Sequence, residues 1–494
     1  MKNGCLVISV EIIYLLISWF NHFVLAYYFA ANGIYLLLLV LASGVIVVHL
    51  SRLEYGRYQQ TIHPSVAPPV SIIMAAFNEE ANIVESVRSL LGLDYPDHEV
   101  IVVNDGSRDS TIQRLIDGFG LTRVNVIYRE SIRTSRVVGF YLNAEVPKLI
   151  VVDKVHGGKA DSLNVGINVS RAPYFCSVDA DSILEESAIT RLMRPIIEEP
   201  NLVKATGGIV RIANGSEISE GRLQNVKLPP DTLSKLQIVE YIRSFLFGRA
   251  GLSKLNSLLI ISGTFSMFHK KTVQAVGGFM RNTVTEDMEL VVRLHKYLRD
   301  NRIKYRINFV PDPICWTEAP RDLKMLKRQR RRWHLGLAES IYIYRSMLFK
   351  PRYGRIGFFA LPYQLFIELL GPVIEITGYF VVTASFLLGL VDKYFFFLFL
   401  VMAILIGIFF SMAAVLLEEF SYKRYKRFRD MLMLLFYGVL ENFGYRQLLA
   451  FWRTQAVLSF FFKRDRKWEY VRKEGFSPPP ARLDGGTRPS RGGL

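Results

Sequence analysis

Two long apolar blocks bracket the chain, and segments of that length and character have few ways to fold in water. The first runs from Cys5 to Leu50, interrupted only near Asn21-His22 and Asn32-Gly33. The second runs from about Ile356 to Phe462, with its clearest stretches near 373–391 and 394–417. About 20 apolar residues in a helix cross the hydrocarbon core of a bilayer, where a helix satisfies its own backbone polar groups. The first block therefore has room for two crossings. The segment 431–462 is broken by Glu441, Arg446 and Arg453 and reads either as a hairpin or as one span followed by an interfacial helix. Met1-Lys2 is a thin basic start with no small-residue cleavage site after it, so a removable signal peptide is not expected.

The charge fits the same picture. The chain carries 61 Lys+Arg against 44 Asp+Glu, a net +17, although half of it is hydrophobic. Much of the excess sits beside the apolar blocks: Arg52 and Arg57, then Lys423, Arg424, Lys426, Arg427 and Arg429, then Lys463, Arg464, Arg466, Lys467, Arg472 and Lys473. Basic residues flanking apolar spans mark loops on the cytoplasmic side, and nucleic acid is not expected as a partner. Three scattered cysteines (Cys5, Cys176, Cys315) make neither a disulfide framework nor a zinc knuckle. The Pro/Gly-rich stretch from Ser477 has the composition of a disordered tail. The expected organisation is membrane helices over 1–52, a linker over 53–67, a cytoplasmic domain over 68–350, transmembrane and interfacial helices over 351–462, and a basic tail over 463–494.

Between the blocks the pattern changes to short β-branched runs alternating with helical periodicity. VSIIMAA (70–76), HEVIVVN (98–104), KLIVVD (148–153) and YFCSV (174–178) are the strand candidates. Such alternation predicts a mostly parallel sheet covered on both faces, and ligands bind such sheets beyond the carboxyl ends of the strands. Asp105, Asp179 and Asp181 all fall at such ends.

Each local motif has a plain reading beside a chemical one. Asp179-Ala180-Asp181 is either a turn or a pair of carboxylates for a hard divalent cation whose shell phosphate oxygens complete. Asp105, in Asn-Asp-Gly-Ser, is either a turn residue or a ligand contact. Gly157-Gly158-Lys159 precedes a helix and places amides and an ammonium where phosphate could bind. It is not an ATPase loop, because position 153 is Asp and Ala160 stands where Ser or Thr is required. Thr285-Glu286-Asp287 opens a helix either as acidic capping or as the source of a general base. In Gln329-Arg330-Arg331-Arg332-Trp333, residues Gln329, Arg332 and Trp333 share a helix face. That face is either a basic juxtamembrane surface or a diphosphate and sugar contact. Glu368 and Glu375, seven apart, share a face with nearby Tyr363 and Tyr379. They either line a polar path through the membrane part or face water on an interfacial helix.

Taken in order, Asp105, Asp179/Asp181, Thr285-Glu286-Asp287 and Gln329/Arg332/Trp333 resemble the processive membrane members of glycosyltransferase family two, which include cellulose, hyaluronan, chitin and poly-N-acetylglucosamine synthases. The resemblance covers residues 68–340 by motif and the flanking helices by architecture. It implies a glycosyltransferase type A domain, an α/β fold with a mostly parallel Rossmann-like sheet, flanked by N- and C-terminal transmembrane helices. It further implies a multi-pass protein of the bacterial inner membrane using a UDP-sugar. By the same resemblance Asp105 would contact uridine, Lys159 would lie near the nucleotide, and Asp179 and Asp181 would position the diphosphate with Mg²⁺ or Mn²⁺, Asp181 the more direct ligand. Asp287 would be the catalytic base of an inverting transfer. Gln329, Arg332 and Trp333 would hold the diphosphate and the acceptor terminus, and Ser262-Gly263-Thr264 resembles the acceptor-side loop.

The regulatory additions of cellulose synthases are missing: Arg328 and Arg332 mimic half of a cyclic-di-GMP motif, but no partner motif follows. The expected function is extension of a β-linked polysaccharide, UDP-GlcNAc or UDP-Glc being the donors favoured, coupled to export through the membrane part with or without an accessory export subunit. The alternatives are addition of one sugar to a lipid acceptor, or nucleotide-sugar binding without catalysis.

Overall fold

The computed structural model describes residues 2–55, 66–219, 221–391, 393–422, 424, 425 and 427–462. Most of the expected linker, the basic residues Arg57, Lys423 and Lys426, and the tail from 463 onward lie outside these residues.

The strands are β1 (Val70–Ala76), β2 (His98–Asn104), β3 (Thr122–Val124), β4 (Val137–Leu142), β5 (Leu149–Lys154), β6 (Tyr174–Asp179), β7 (Ser182–Leu184), β8 (Val203–Ile212), β9 (Glu217–Ser219), β10 (Arg222–Asn225), β11 (Phe265–His269) and β12 (Arg306–Thr317). Ten of them form one sheet in the order β3-β4-β5-β2-β1-β6-β11-β8-β12-β7, and β9 and β10 make a separate hairpin. The centre, β5-β2-β1-β6, is parallel as the sequence pattern predicts. β11 enters antiparallel between β6 and β8. The central strands are almost wholly buried, which is why they read as continuous β-branched runs. Register pairs Ala76 with Asn104, Asn104 with Asp153, and Ala75 with Asp179, so the acidic strand ends stand in one row.

The helices of the domain are α2 (Ile83–Leu91), α3 (Thr111–Phe119), α4 (Lys159–Val169), α5 (Ala188–Glu198), α6 (Thr232–Tyr241), α7 (Ala250–Lys254), α8 (Lys270–Ala275), α9 (Glu286–Asp300) and α10 (Leu323–Ile343), preceded in the chain by α1 (Lys2–Tyr55). A π-helical stretch, Ile242–Arg249, joins α6 to α7 without a break. Asp322 starts α10 by accepting the amides of Lys324 and Met325, each at 2.8 Å, the usual cap for the orphan donors of a first turn.

The first apolar block departs from the expectation of several helices: α1 is one unbroken helix of 54 residues, about 80 Å long at 1.5 Å per residue. Of its polar interruptions, His22 and Asn32 bond within the helix, and Asn21 Nδ2 reaches across to Ser385 Oγ at 3.5 Å. Asn32 Nδ2 donates to Tyr28 O at 2.8 Å, and His22 Nδ1 lies 2.7 Å from Ser18 O, each one turn back. After the domain come α11 (Leu361–Tyr363) between two π-helical turns, α12 (Gly371–Leu387), α13 (Lys393–Tyr422), α14 (Phe428–Leu440) and α15 (Tyr445–Phe461). Among the described residues three helices are long and apolar enough to cross a membrane: Leu15–Ser51, Ile356–Leu387 and Phe396–Tyr422. The interrupted segment 431–462 forms two helices joined by a turn at residues 441–444; α14 packs on α13 and α6, and α15 on α10 and α12, not on each other. Glu441 turns inward to accept from Arg243 at 2.9 Å.

The sheet is fastened to these helices by a buried ion pair between Arg211 on β8 and Glu418 on α13, both side chains 4% exposed. Glu418→Ala leaves the guanidinium buried without its counter-charge and is expected to cost about 3–5 kcal/mol, read as a lower unfolding temperature of the solubilised protein. Replacing both partners, Arg211→Met with Glu418→Leu, should recover most of that loss. An unchanged unfolding temperature in Glu418→Ala would show that the pair contributes nothing.

Candidate active site

The row of strand ends is closed from below by Asp105, which follows β2. Its carboxylate takes Lys154 Nζ at 2.5 Å and the amides of Gly157 and Gly158 at 2.9 and 2.8 Å. Lys154 also meets Asp161 at 2.9 Å, so two buried acids share one buried ammonium. Their bonds shape the turn that delivers Lys159 to the start of α4. Asp105 is buried and is not among the residues lining the cavity described next.

Above the strand ends lies a cavity of about 1900 Å³. Lys159, Asp179, Asp181, Asp287, Gln329, Arg332 and Trp333, seven of the eight site residues expected from sequence, line it. Lys159 stands at the junction, with Nζ 2.5 Å from Asp179 and 3.4 Å from Glu286. Burial works against its charge, but Asp179 and Glu286 outweigh that and hold its pKa above the ordinary lysine value. One ammonium thus ties the β6 end to the start of α9.

Asp287 is fixed by two backbone donors: Gly263 N reaches Oδ2 at 2.9 Å and Met288 N reaches Oδ1 at 2.8 Å. A Cβ at Gly263 would lie 2.9 Å from Oδ2, so only glycine brings the Ser262-Gly263-Thr264 loop this close. The same loop accepts Asp179 N on Thr264 O at 3.4 Å. Thr285 makes no side-chain cap, so the acid at 287 serves the helix start and faces the cavity at once. Burial first, and then the neighbouring Glu286, push the Asp287 carboxyl above the usual carboxylate range, with Lys159 opposing.

α10 braces this loop. Glu339 accepts Thr283 Oγ1 at 3.0 Å and Val284 N at 2.8 Å, and Gly336 packs so closely that a Cβ there would lie 2.1 Å from Thr285 Oγ1. Further up α10 all five residues of the motif line the cavity and differ in burial, Trp333 with 39% of its surface open. Arg330 is 1% exposed and donates to Glu240 at 2.8 Å and to Gln329 Oε1 at 2.6 Å, its guanidinium carbon 4.3 Å from the centre of the Trp333 indole. Glu240 also accepts Tyr445 Oη at 2.8 Å and Arg453 at 3.3 Å. Arg330 and Glu240 were not singled out from sequence, although the buried period Leu326, Arg330, His334, Leu337 marks the arginine as facing inward.

No three His, Cys, Asp or Glu side chains gather to hold a metal ion among the described residues. Asp179 and Asp181 offer two hard carboxylates on the cavity wall, which suits a cation such as Mg²⁺ that takes one or two carboxylates together with substrate phosphates.

Beyond the site the cavity runs into the membrane part, where Tyr27, Tyr35, Tyr363, Glu368, Glu375 and Tyr379 line it. Tyr363 donates to Glu368 and Tyr379 to Glu375, both at 2.6 Å. Both glutamates therefore face the cavity rather than an open aqueous surface.

Sequence comparison matches residues 68–336 to the family described as Glycosyltransferase like family 2. The poly-beta-1,6-N-acetyl-D-glucosamine synthase of Staphylococcus epidermidis is 28% identical over 267 residues, 54% of this chain and 54% of that protein. The synthase of the same name from Staphylococcus aureus is 29% identical over 268 residues, again 54% of each. The chain thus spans about half the length of the curated relatives it matches. Among solved structures, a mannosyltransferase from Pyrobaculum calidifontis in complex with GDP-Man and Mn²⁺ is 16% identical, covering 84% of this chain and 99% of that one at a TM-score of 0.48.

Gly336→Ala should force α10 off the loop carrying Asp287, at a cost of about 1–3 kcal/mol for overpacking. Faster hydrogen exchange confined to residues 283–287 is the expected signature, and unchanged exchange there would refute the bracing role of α10.

Proposed function

We propose, from the premise that the chain belongs to Glycosyltransferase like family 2, that it extends a β-linked polysaccharide from a UDP-sugar, with UDP-GlcNAc favoured over UDP-Glc. The observation that carries the reading is the single cavity joining Asp179 and Asp287 to Tyr363, Glu368 and Glu375. A site for single-sugar transfer needs no polar extension into an apolar layer, whereas a growing glycan does. The Staphylococcus synthases named above support an N-acetylglucosamine polymer.

In this reading the donor's diphosphate lies against Asp179, Asp181 and Lys159. Mg²⁺ or Mn²⁺ held by the two aspartates would neutralise charge on the diphosphate as it departs. Asp105 shapes the nucleotide end through the Gly157-Gly158 turn. The acceptor's terminal ring rests on Trp333, and Asp287 removes the proton from its attacking hydroxyl. The hydroxyl oxygen bonds to the anomeric carbon as the bond to the diphosphate breaks, UDP leaves, and the configuration inverts. Arg332 and Lys159 supply positive charge where negative charge develops. The catalytic domain then faces the cytoplasm and the product leaves through the membrane part.

The test is protein reconstituted in membranes with Mg²⁺ or Mn²⁺ and a panel of labelled UDP-sugars, with the product sized. A long polymer from one donor is expected, and Asp287→Asn should lower the rate by about 10²–10⁴-fold. A single-sugar lipid product would overturn the polymer reading. Because Asp287 must be ionised to act, activity should fall with acidity through a limb lying above the ordinary aspartate value of about 3.9. Glu286→Gln removes the like charge and should move that limb to lower pH. Glu368→Ala and Glu375→Ala should shorten or retain the polymer while leaving UDP binding intact, and unchanged length and export would defeat the path through the membrane part.

A further inference from the structure

Arg249 ends the π-helical stretch Ile242–Arg249 and lines the cavity with Ser262, Gly263 and Asp287. It differs from Arg330 and Arg243 on the same wall in having no acid. Arg330 is matched by Glu240 and Arg243 by Glu441, but Arg249 forms no ion pair among the described residues, and its buried Nη1 has no hydrogen-bond partner there. One face of its guanidinium is covered by Phe245, 3.7 Å from the ring centre. The Asp287 carboxylate acts on it electrostatically without bonding to it. A buried guanidinium nitrogen without a partner is costly, and the edge that carries it offers donors to an oxygen that enters the cavity.

The surroundings indicate which oxygen. Phe245 stacks on Tyr241 at 5.4 Å, and Tyr241 lies 6.4 Å from Trp333. Arg249, Phe245, Tyr241 and Trp333 therefore form one run along the cavity wall; Phe245 and Tyr241 are each 6% exposed and back that wall, and Trp333, 39% exposed, is the ring of the run open to a sugar. The diphosphate has its own cation in Lys159, which is tied to Asp179.

We propose that Arg249 is a binding residue for the acceptor glycan, donating hydrogen bonds to a hydroxyl or acyl oxygen of its terminal sugars beside Asp287. The assignment rests on the glycosyltransferase reading above and adds to it a residue that sets how the acceptor sits.

The experiment measures equilibrium binding of two probes, UDP and an N-acetylglucosamine oligomer, to the full chain and to Arg249→Gln and Arg249→Lys, with unfolding temperature as the control for folding. Losing a hydrogen bond from a charged donor should weaken oligomer binding by at least about tenfold in Arg249→Gln while UDP affinity stays within about twofold. Arg249→Lys, which keeps the charge but not the planar fork, should fall between them, and it carries the same comparison if Arg249→Gln does not fold. Parallel weakening of UDP would reassign Arg249 to the diphosphate, and unchanged oligomer binding would remove it from the site; either overturns the proposal. Elongation of the same oligomer from UDP-GlcNAc by the unmodified chain tests the underlying reading separately. Arg249-dependent oligomer binding without elongation would sink the transferase and keep the glycan site.

Discussion

The arrangement depends most on one buried carboxylate. Glu240, on α6, accepts Arg330 from α10 and both Tyr445 and Arg453 from α15. Taking a carboxylate and a guanidinium out of water costs several kcal/mol per ion, and attraction repays it only when the remaining donors and acceptors are also satisfied. Here Glu240 draws its three donors from two other helices, so α6, α10 and α15 must meet in one geometry for the carboxylate to be tolerated. α10 is thereby pinned to α15 on one side and to the Asp287 loop on the other through Glu339 and Gly336. A shift at either contact is transmitted along a rigid helix to the other.

The same economy governs the small loop at 262–264. Its glycine lets a backbone amide reach Asp287, and its threonine carbonyl takes the amide of Asp179. The two acids assigned to opposite sides of the reaction are therefore fixed to one short segment. Lys159 adds a second link between them by spanning Asp179 and Glu286. In the transferase reading, this cross-linking sets the separation between diphosphate and attacking hydroxyl before either ligand arrives. Such preorganisation is what electrostatic stabilisation needs.

The sequence made the sheet legible because its central strands are buried on both faces and so read as unbroken β-branched runs ending in acids. It made the acids and the Gln329/Arg332/Trp333 face of the cavity legible because Asp179, Asp181, Asp287, Gln329, Arg332 and Trp333 sit in short local patterns. It did not reveal Glu240, Glu339 or Arg249, whose partners are far away in the chain or missing altogether: Glu240 meets Arg330 across 90 residues. Burial of a charged side chain is a property of packing, and local periodicity hints at it only where, as at Arg330, the charge falls on an apolar phase. The two-helix expectation for the first block failed for a related reason. Asn32 and His22 look like breaks by composition, yet each finds a main-chain oxygen one turn back.

In the membrane part, the two lining glutamates are held by tyrosines rather than by arginines. An arginine pair would fix each carboxylate in a strong, directional, fully satisfied contact. A tyrosine uses one acceptor site of a carboxylate that has about four, so each glutamate still has acceptor capacity to offer a passing hydroxyl. The phenol rings supply the flat apolar faces on which pyranose rings lie. In the polysaccharide reading proposed above, a wall built this way exchanges weak contacts with each successive sugar without holding any of them tightly, since a polymer that must move needs binding shallow enough to leave.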